Sequence, residues 1–564
     1  MTDYEESVAF LGTWGPFQRR VLFLLCLIAV PSGYNILSVI FLLATPPHHC
    51  YIPTESNLSQ EWIEASIPVQ QVAGLPERSS CSRYELDLVQ NLSALGTRSG
   101  LGLKQEGCKD GWTYSTEHFQ STVVTEFNLV CGDQWKQPLS SLVYFLGGLS
   151  GCLASGPISD RFGRKPVLFG AIVILSTFTC AVAFAPSWPV STVIFFMMGL
   201  GQIASYIVVF VLGSEILTGR TRVFYSNLCL PFAYVFGMMM LPCSAYLVGH
   251  WRHLSLIMAV PGLASIPLCW LIPESSRWLV SRGRLQEAEL RLRSAALENR
   301  VKAPDVIFPE SQKGNSLSFP DLLRTQNIRA ITIMLFSLNM SYFGMQFNMT
   351  GLSGNPFLNY VLVSGVEFLA FAASWLVVRS FPRRPSFICF TLLGSLALLL
   401  IQITLSLRSI TLSLVMLGKF GILAGISVLY IFTGELSPTV IRNTALSSCA
   451  SFSRVGCCVS PYLLQLVVIS QYLPWIIVGS LSLLSGFICF FLPETFRQPL
   501  PDTIQQMRRV QRSVCGATSH SLKSANVENR APPGFYFDCR FTGSHVSLLG
   551  FTEAAQSSEV RRYG

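Results

Sequence analysis

Three ionisable residues lie inside apolar segments of this sequence: Glu367, Lys419 and Arg454. Because a charged side chain is costly inside a membrane, each is expected to serve a function. An arginine fork can hold a carboxylate with two hydrogen bonds, whereas a glutamate can face a quaternary ammonium group or a coupling cation. If the three share a cavity, they suit a zwitterion, or a solute together with a cation. The alternative is that they pair with each other as fixed braces between helices.

Aromatic residues on other apolar segments add a second kind of recognition. The face of an aromatic ring attracts a permanent cation without a hydrogen bond. The candidates are three tyrosines and a glutamine one turn before the first of them, although each taken alone could equally be a helix-packing residue. With the three charges they make up the predicted substrate site: Arg454, Glu367, Lys419, Tyr206, Gln202, Tyr234 and Tyr430.

A second set of charges lies near the ends of apolar runs. Residues 156–166 read Gly-Pro-Ile-Ser-Asp-Arg-Phe-Gly-Arg-Lys-Pro, which predicts a tight cytoplasmic hairpin turned at its glycines. Glu215 and Glu435 each follow an apolar run and lie close to a basic loop. Ion pairs that break and re-form give two states of similar energy, so we expect a latch that holds an inner gate shut. The predicted gating residues, which could also be simple helix-end caps, are Asp160, Arg161, Arg164, Glu215, Arg222, Glu435 and Arg442.

The elements that must position these residues are apolar runs of membrane-spanning length. Half of the 564 residues are apolar and only 13% are charged, which is unusual for a soluble domain. We therefore predict an all-α membrane protein with twelve transmembrane helices. They cover residues 21–44, 139–155, 167–186, 190–216, 230–248, 254–272, 330–347, 357–378, 386–407, 413–433, 445–469 and 474–492.

The second six runs repeat the first six. Glu215 and Glu435 are separated by 220 residues, and the same offset relates Glu274 to Glu494 in two Pro-Glu motifs. A partial match to the hairpin motif occurs at residues 380–384. Such duplication indicates a transporter of two six-helix pseudo-repeats, with a central site between halves that rock against each other.

The distribution of Lys and Arg predicts the topology. They cluster on one side of the predicted helices, so the positive-inside rule places both termini in the cytosol, with Arg252 and Arg408 as exceptions. The net charge of +9 therefore does not indicate a nucleic-acid partner. The predicted organisation is a cytoplasmic arm (1–20), helix 1 (21–44), an extracellular loop (45–137), helices 2–6 (138–272), a cytoplasmic central loop (273–329), helices 7–12 (330–492) and a cytoplasmic tail (493–564), whose residues 513–564 are expected to be mostly disordered.

The long loop after helix 1 has the features of an oxidising, extracellular location. It contains Cys50, Cys81, Cys108 and Cys131, and glycosylation sequons at Asn57 and Asn91. Four cysteines allow three pairings, and the sequence does not choose among them. No CxxC or histidine spacing supports zinc, so we predict no metal site.

Other classes of chemistry fit less well. Residues 213–221 superficially resemble a phosphate loop, but five residues separate the glycines and Arg replaces Lys. No nucleophile–base set is present, so we predict neither an enzyme nor a bound cofactor.

Several motifs resemble the organic cation/carnitine transporter branch of the solute carrier 22 family, within the major facilitator superfamily. They cover roughly residues 1 to 512. The motifs are Trp14-Gly15-Pro16-Phe17-Gln18-Arg19, Cys108-x-Asp110-Gly111-Trp112, residues 122–131 (Thr-Val-Val-Thr-Glu-Phe-Asn-Leu-Val-Cys), residues 159–165, Pro273-Glu274-Ser275-x-Arg277-Trp278-Leu279 and Asp321-Leu322-Leu323-Arg324-Thr325.

The resemblance implies uptake of zwitterions and organic cations across the plasma membrane, with sodium as the probable coupling ion. In this family, the position of Arg454 is typically an acid in the cation branch and Arg in the carnitine and anion branches, which favours substrates with a carboxylate. The alternatives are a facilitative, polyspecific carrier of organic cations and anions, or a non-transporting, receptor-like member of the fold. The short seventh run, which ends before a further sequon at Asn348, supports the receptor-like alternative. A proton-coupled sugar porter shares the hairpin motif but is not expected to have the cysteine-bearing loop or Arg454.

Overall fold

The computed structural model describes residues 4–56, 58–72, 75–95, 104–304, 307–308, 326–349, 354–404, 408–436 and 442–495. Ten of its helices are long and apolar enough to cross a membrane, and two shorter ones complete the predicted set of twelve. They are α1 (Pro16–Leu42), α2 (Lys136–Phe162), α3 (Arg164–Val182), α4 (Trp188–Ile216), α5 (Gly219–Val248), α6 (Trp251–Leu271), α7 (Gln326–Asn348), α8 (Pro356–Ser380), α9 (Arg383–Thr404), α10 (Arg408–Leu436), α11 (Arg442–Val459) and α12 (Leu473–Cys489).

We name the two ends of this helix bundle after the chain segments that lie there. The loop face carries the long segment between α1 and α2, and the motif face carries the junction of α2 with α3. The twelve-helix fold predicted from the sequence is confirmed. The tail from residue 496 onward, including the stretch expected to be disordered, lies outside the described residues.

The hairpin predicted for residues 156–166 is wrong in its extent. The helix α2 continues through Asp160 to Phe162, and only Gly163 separates it from α3. Gly163 has a φ of 106°, a conformation that a side chain would strain, so one glycine makes the whole turn. Pro166 fits within the first turn of α3, where a backbone N–H has no helical partner to lose.

Two other predicted helices also differ from the structure. The seventh helix is not short, because α7 spans 23 residues and is long enough to cross a bilayer. The helix predicted for residues 445–469 is interrupted, since α11 ends at Val459 before Pro461. The chain continues as two short turns, Tyr462–Gln465 and Leu466–Val468.

Glycines allow the helices that carry the candidate site to pack closely. A Cβ atom on Gly147 of α2 would meet the carbonyl oxygen of Phe196 in α4 at 2.0 Å. A Cβ atom on Gly33 of α1 would meet the carbonyl oxygen of Tyr234 in α5, also at 2.0 Å. Small residues at such crossings are the usual means of close helix packing in membranes, and here they fix the backbone beside Tyr234.

The long loop is a small, cross-linked unit on the loop face. Two disulfides join Cys50 to Cys108 and Cys81 to Cys131, and the buried Arg83 side chain binds Glu106 and Asp110. The strands β1 (His48–Cys50) and β6 (Trp112–Tyr114), β2 (Val69–Val72) and β3 (Leu75–Arg78), and β4 (Ser82–Tyr84) and β5 (Gln105–Gly107) form three antiparallel pairs. Its short helices are Thr54–Ser56, Gln60–Ala65, Leu86–Leu95, Val123–Glu126 and Cys131–Asp133.

Asn91, one of the two predicted glycosylation sites, is exposed on the helix Leu86–Leu95. Asn57, the other, lies outside the described residues. Arg252, one of the two exceptions to the one-sided distribution of Lys and Arg, lies at the start of α6 and forms an ion pair with Glu126 of the loop. The Glu126 carboxylate also accepts a hydrogen bond from Trp251 at 2.7 Å. The Arg252 guanidinium holds the pKa of the Glu126 carboxyl below its usual range.

Short helices on the motif face tie the N-terminal arm to the chain that follows α6. Their bounds are Tyr4–Ser7, Ala9–Leu11, Ser276–Ser281 and Leu285–Glu298. The Asn299 side chain accepts from the backbone N–H of Phe17 at 2.9 Å and donates to the carbonyl of Leu11 at 3.0 Å. Arg20 binds Glu298 through two hydrogen bonds. These contacts attach the arm to the first six-helix half.

Candidate functional site

The structure separates the predicted substrate residues into two groups. The first group surrounds Arg454 of α11. Its guanidinium lies within electrostatic range of the phenol groups of Tyr206, Tyr234 and Tyr430. These side chains come from α4 and α5 in the first half and from α10 and α11 in the second, so the group lies at the interface between the halves.

Every member of this aromatic group keeps some accessible surface although it lies in the interior. Arg454 and the three tyrosines are all partly exposed. The rings of Tyr206 and Tyr234 are 4.7 Å apart between centroids and inclined by 55°. Their partial exposure leaves one cation and three aromatic side chains accessible at the interface between the halves.

Gln202 extends the aromatic group on the α4 side. Its amide nitrogen donates to the carbonyl of Ser32 at 2.9 Å and lies 3.4 Å from the hydroxyl of Tyr234. Its amide oxygen is buried and has no hydrogen-bond partner within the described part of the chain. A buried acceptor without a partner is costly, and a ligand with a donor group would satisfy it.

Arg454 has no carboxylate within ion-pair distance among the described residues. An interior arginine without an acidic partner is a strong site for an anion, because no protein charge compensates the guanidinium.

The second group consists of Glu367 and Lys419, which pair with each other. The Lys419 ammonium nitrogen is 2.5 Å from Glu367 Oε1, and the two side chains are 0% and 2% exposed. Tyr342 donates to the same carboxylate oxygen at 2.6 Å, and the ammonium lies 5.4 Å from the centre of the Tyr342 ring. The structure therefore does not bring these two charges together with Arg454 in an ion pair. Their geometry is that of the brace between helices, here α8 and α10.

On the motif face, Arg164 forms the centre of a cluster in the first half. It binds Asp160 at 2.5 Å and Glu215 at 2.9 Å. The carboxylate of Glu274 accepts from the backbone N–H groups of Arg164 and Lys165, the first two residues of α3. A carboxylate at this position satisfies helix N–H groups and is favoured by the helix dipole.

The second half repeats this cluster around Arg383. Arg383 binds Glu435 at 2.8 Å, and Thr495 donates to the same carboxylate at 2.6 Å. Glu494 accepts from the backbone N–H groups of Arg383 and Arg384 at the start of α9, at 2.9 Å each. The two clusters are thus related by the sequence repeat, and each ion pair named here joins residues of one half.

The sequence prediction of the gating residues names four members of these two clusters: Asp160, Arg164, Glu215 and Glu435. It also named three residues with other positions: Arg161 is exposed beside the Phe162 ring, Arg222 donates to the carbonyl of Leu217 at 3.0 Å, and the side chain of Arg442 lies outside the described residues. It did not name Glu274, Arg383 and Glu494, which complete the two clusters, although the repeat of the Pro-Glu motifs was the signal for two of them.

Aromatic side chains from both halves close the loop face. Phe357 of α8 contacts Phe41 of α1 at 5.9 Å and Phe119 of the loop at 5.1 Å between ring centroids. Deeper in the interface, Phe145 of α2 contacts Phe343 of α7 at 5.2 Å. These ring contacts join the two halves at the loop face.

Duplicated six-helix halves, an interior site between them and clusters at one face define a secondary transporter. The sugar (and other) transporter family model matches residues 106–506. The chain is 42% identical over 536 residues to mouse solute carrier family 22 member 4, covering 92% of this chain and 97% of that protein. It is 43% identical over 528 residues to rat organic cation/carnitine transporter 2, covering 91% and 95% respectively.

The chain belongs to the organic cation/carnitine transporter branch of the solute carrier 22 family, within the major facilitator superfamily. Among solved structures, the inward-open xylose transporter XylE of Escherichia coli matches 88% of this chain and 99% of its own, with a TM-score of 0.56 and 14% identity. At that identity the likeness concerns the fold alone. The family consists of membrane transporters, in agreement with the non-enzymatic reading of the sequence.

Proposed function

We propose that this protein transports carnitine-like zwitterions and small organic cations across the plasma membrane by alternating access, with sodium as the coupling ion. The observation that carries the proposal is Arg454, an interior cation at the interface between the halves that has no acidic partner among the described residues. The printed names of its relatives, organic cation/carnitine transporters, support the same substrate class.

The two ends of a zwitterion would bind to different parts of the site. Its carboxylate would accept from the Arg454 guanidinium, with the two-point geometry that lysine does not offer. Its ammonium group would lie against the faces of Tyr206, Tyr234 and Tyr430. Because Glu367 is already paired with Lys419, the rings rather than that carboxylate would recognise the positive charge.

Alternating access would use the two faces in turn. The aromatic contacts of Phe357 hold the loop face closed in this structure, and each motif-face cluster is confined to one half. Rocking the halves about the Arg454 site would open the loop face without breaking the ion-pair cluster within either half. In this proposal the motif face and both termini are cytosolic, and the loop with Asn57 and Asn91 is outside.

The test is uptake of labelled carnitine into cells that express the chain, in sodium medium and in lithium medium, with uptake divided by surface copy number. We expect sodium-dependent uptake that falls at least about 30-fold in kcat/KM for Arg454→Ala, because truncating one partner of a buried charge pair costs at least about 2 kcal/mol. Arg454→Lys is the matched control, since it keeps the charge and loses the fork, and it should retain partial uptake. Normal surface expression without uptake of carnitine or of a quaternary ammonium cation would refute the proposal.

A further inference from the structure

A second cavity lies on the loop face, outside the aromatic contacts that close the interface. Its volume is about 160 Å³, roughly five times the volume of a water molecule in the liquid. Its lining includes Glu117 and His118 of the loop, Tyr246 at the end of α5, and Phe357 at the start of α8. Three separate segments of the chain therefore form one concave surface.

The walls of this cavity are fixed by hydrogen bonds and ring contacts. The backbone N–H groups of Gln120 and Ser121 donate to the carbonyl of Gly249, at 3.0 Å and 3.3 Å, which joins the loop to the turn between α5 and α6. The opposite wall is the Phe357 ring, only 4% exposed and 5.7 Å from the Tyr246 ring. The cavity is thus part of the folded loop face.

The chemistry of the lining suits a cation that carries methyl groups. Glu117 is exposed and forms no ion pair with any described residue. Tyr246 is 65% exposed, so its ring is available to a ligand. No Lys or Arg is among the lining residues. A carboxylate and an exposed aromatic ring in one cavity attract a quaternary ammonium group, which cannot donate hydrogen bonds.

We propose that this cavity is an external binding site for quaternary ammonium cations, separate from the Arg454 site. The proposal rests on the proposed function, since such cations are the solutes that a transporter of this class meets. Glu117 and Tyr246 belong to the first half and Phe357 to the second, so a cation bound there contacts both. Phe357 completes the lining only while the loop face is closed, and occupation of the complete site therefore favours the closed state and slows uptake.

The test is equilibrium binding of radiolabelled tetramethylammonium to the purified full-length protein. We expect Glu117→Gln and Tyr246→Leu each to weaken binding about fivefold, and Glu117→Asp to keep most of the affinity. Glu55→Gln is the matched control, because it removes an exposed loop carboxylate that is not part of the cavity and should leave binding unchanged.

Binding is measured without transport, so failure of this proposal is distinguishable from failure of the proposed function. The proposal is overturned if the wild type does not bind tetramethylammonium, or if Glu117→Gln and Tyr246→Leu bind it like the wild type. It is also overturned if Tyr206→Leu abolishes binding while Glu117→Gln does not, because the cation then occupies the site at Arg454.

Discussion

In the first half of the molecule Arg164 binds the carboxylates of Asp160 and Glu215, whereas in the second half the corresponding Arg383 binds that of Glu435. One turn before Arg164 stands Asp160, and one turn before Arg383 stands Arg379. Nη1 of the Arg383 guanidinium donates to the backbone carbonyls of Val378 and Phe381. The contacts from each arginine to α4 or α10, and from each Pro-Glu motif to α3 or α9, are the same.

The interior shows a stronger difference between the halves. Glu367, Lys419 and Arg454 all belong to the second half, on α8, α10 and α11. The first half contributes Gln202, Tyr206 and Tyr234 instead. Duplication has thus kept the clusters of the motif face nearly symmetric while the proposed substrate site became asymmetric. A zwitterion requires such asymmetry, because its two ends need different partners.

The largest expected effect concerns the buried pair of the second half. Glu367→Gln leaves the Lys419 ammonium without a compensating charge at a fully buried position, and we expect a loss of about 3–5 kcal/mol in stability. The double variant Glu367→Gln/Lys419→Met should recover most of this loss. The thermal midpoint and surface expression of the two variants measure it. A double variant no more stable than the single one would show that the pair does more than brace α8 against α10.

The arginines at the centres of the two clusters come next. Arg164→Ala leaves Glu215 without its partner, and we expect uptake per surface copy to fall about 30-fold or more, from a loss of about 2–3 kcal/mol. Arg383→Ala should cost less, about tenfold, because Glu435 is more exposed and keeps its hydrogen bond from Thr495. Equal losses in both variants would contradict the difference inferred between the clusters.

The caps of α3 and α9 should behave alike. Glu274→Gln and Glu494→Gln each remove a negative charge from a helix N-terminus, a change of about 0.3–1 kcal/mol. Uptake is therefore expected to fall about two- to fivefold in each, since both carboxylates accept from the first two N–H groups of their helix. If uptake fell ten times more in one variant than in the other, the two helix caps would not have the same role in transport.

The smallest expected effect comes from the acid that distinguishes the two clusters. The Asp160 side chain is 65% exposed, so its pair with Arg164 is worth at most about 1 kcal/mol. We expect Asp160→Asn to change uptake by no more than about fivefold. Arg379→Asp would place an acid four residues before Arg383, as Asp160 stands four residues before Arg164, and uptake rates of the two variants should then move in opposite directions. Changes in the same direction would show that the missing acid is not what separates the halves.

Sequence reasoning reached the fold and the motif-face clusters because both depend on local patterns. The twelve apolar runs follow from length and composition, and Asp160, Arg164, Glu215 and Glu435 lie in repeated motifs. It gave the pairing of Glu367 with Lys419 only as the alternative to a shared binding cavity, because Lys419 lies two helices further on and helix tilt decides which side chains meet. The disulfide pairing was open because the sequence does not decide which of the four loop cysteines meet. The extent of α2 was misjudged because the charged residues of the motif are compatible with a helix and only Gly163 breaks it.

The most direct measurement compares uptake of carnitine with uptake of tetraethylammonium in the wild type and in Arg454→Gln, at equal surface expression. Glutamine keeps a polar, though shorter, side chain and removes the charge that should bind a carboxylate. We expect the ratio of carnitine to tetraethylammonium uptake to fall at least about 30-fold, with tetraethylammonium uptake preserved. An unchanged ratio, with both substrates reduced equally, would show that Arg454 supports the fold and does not bind the carboxylate.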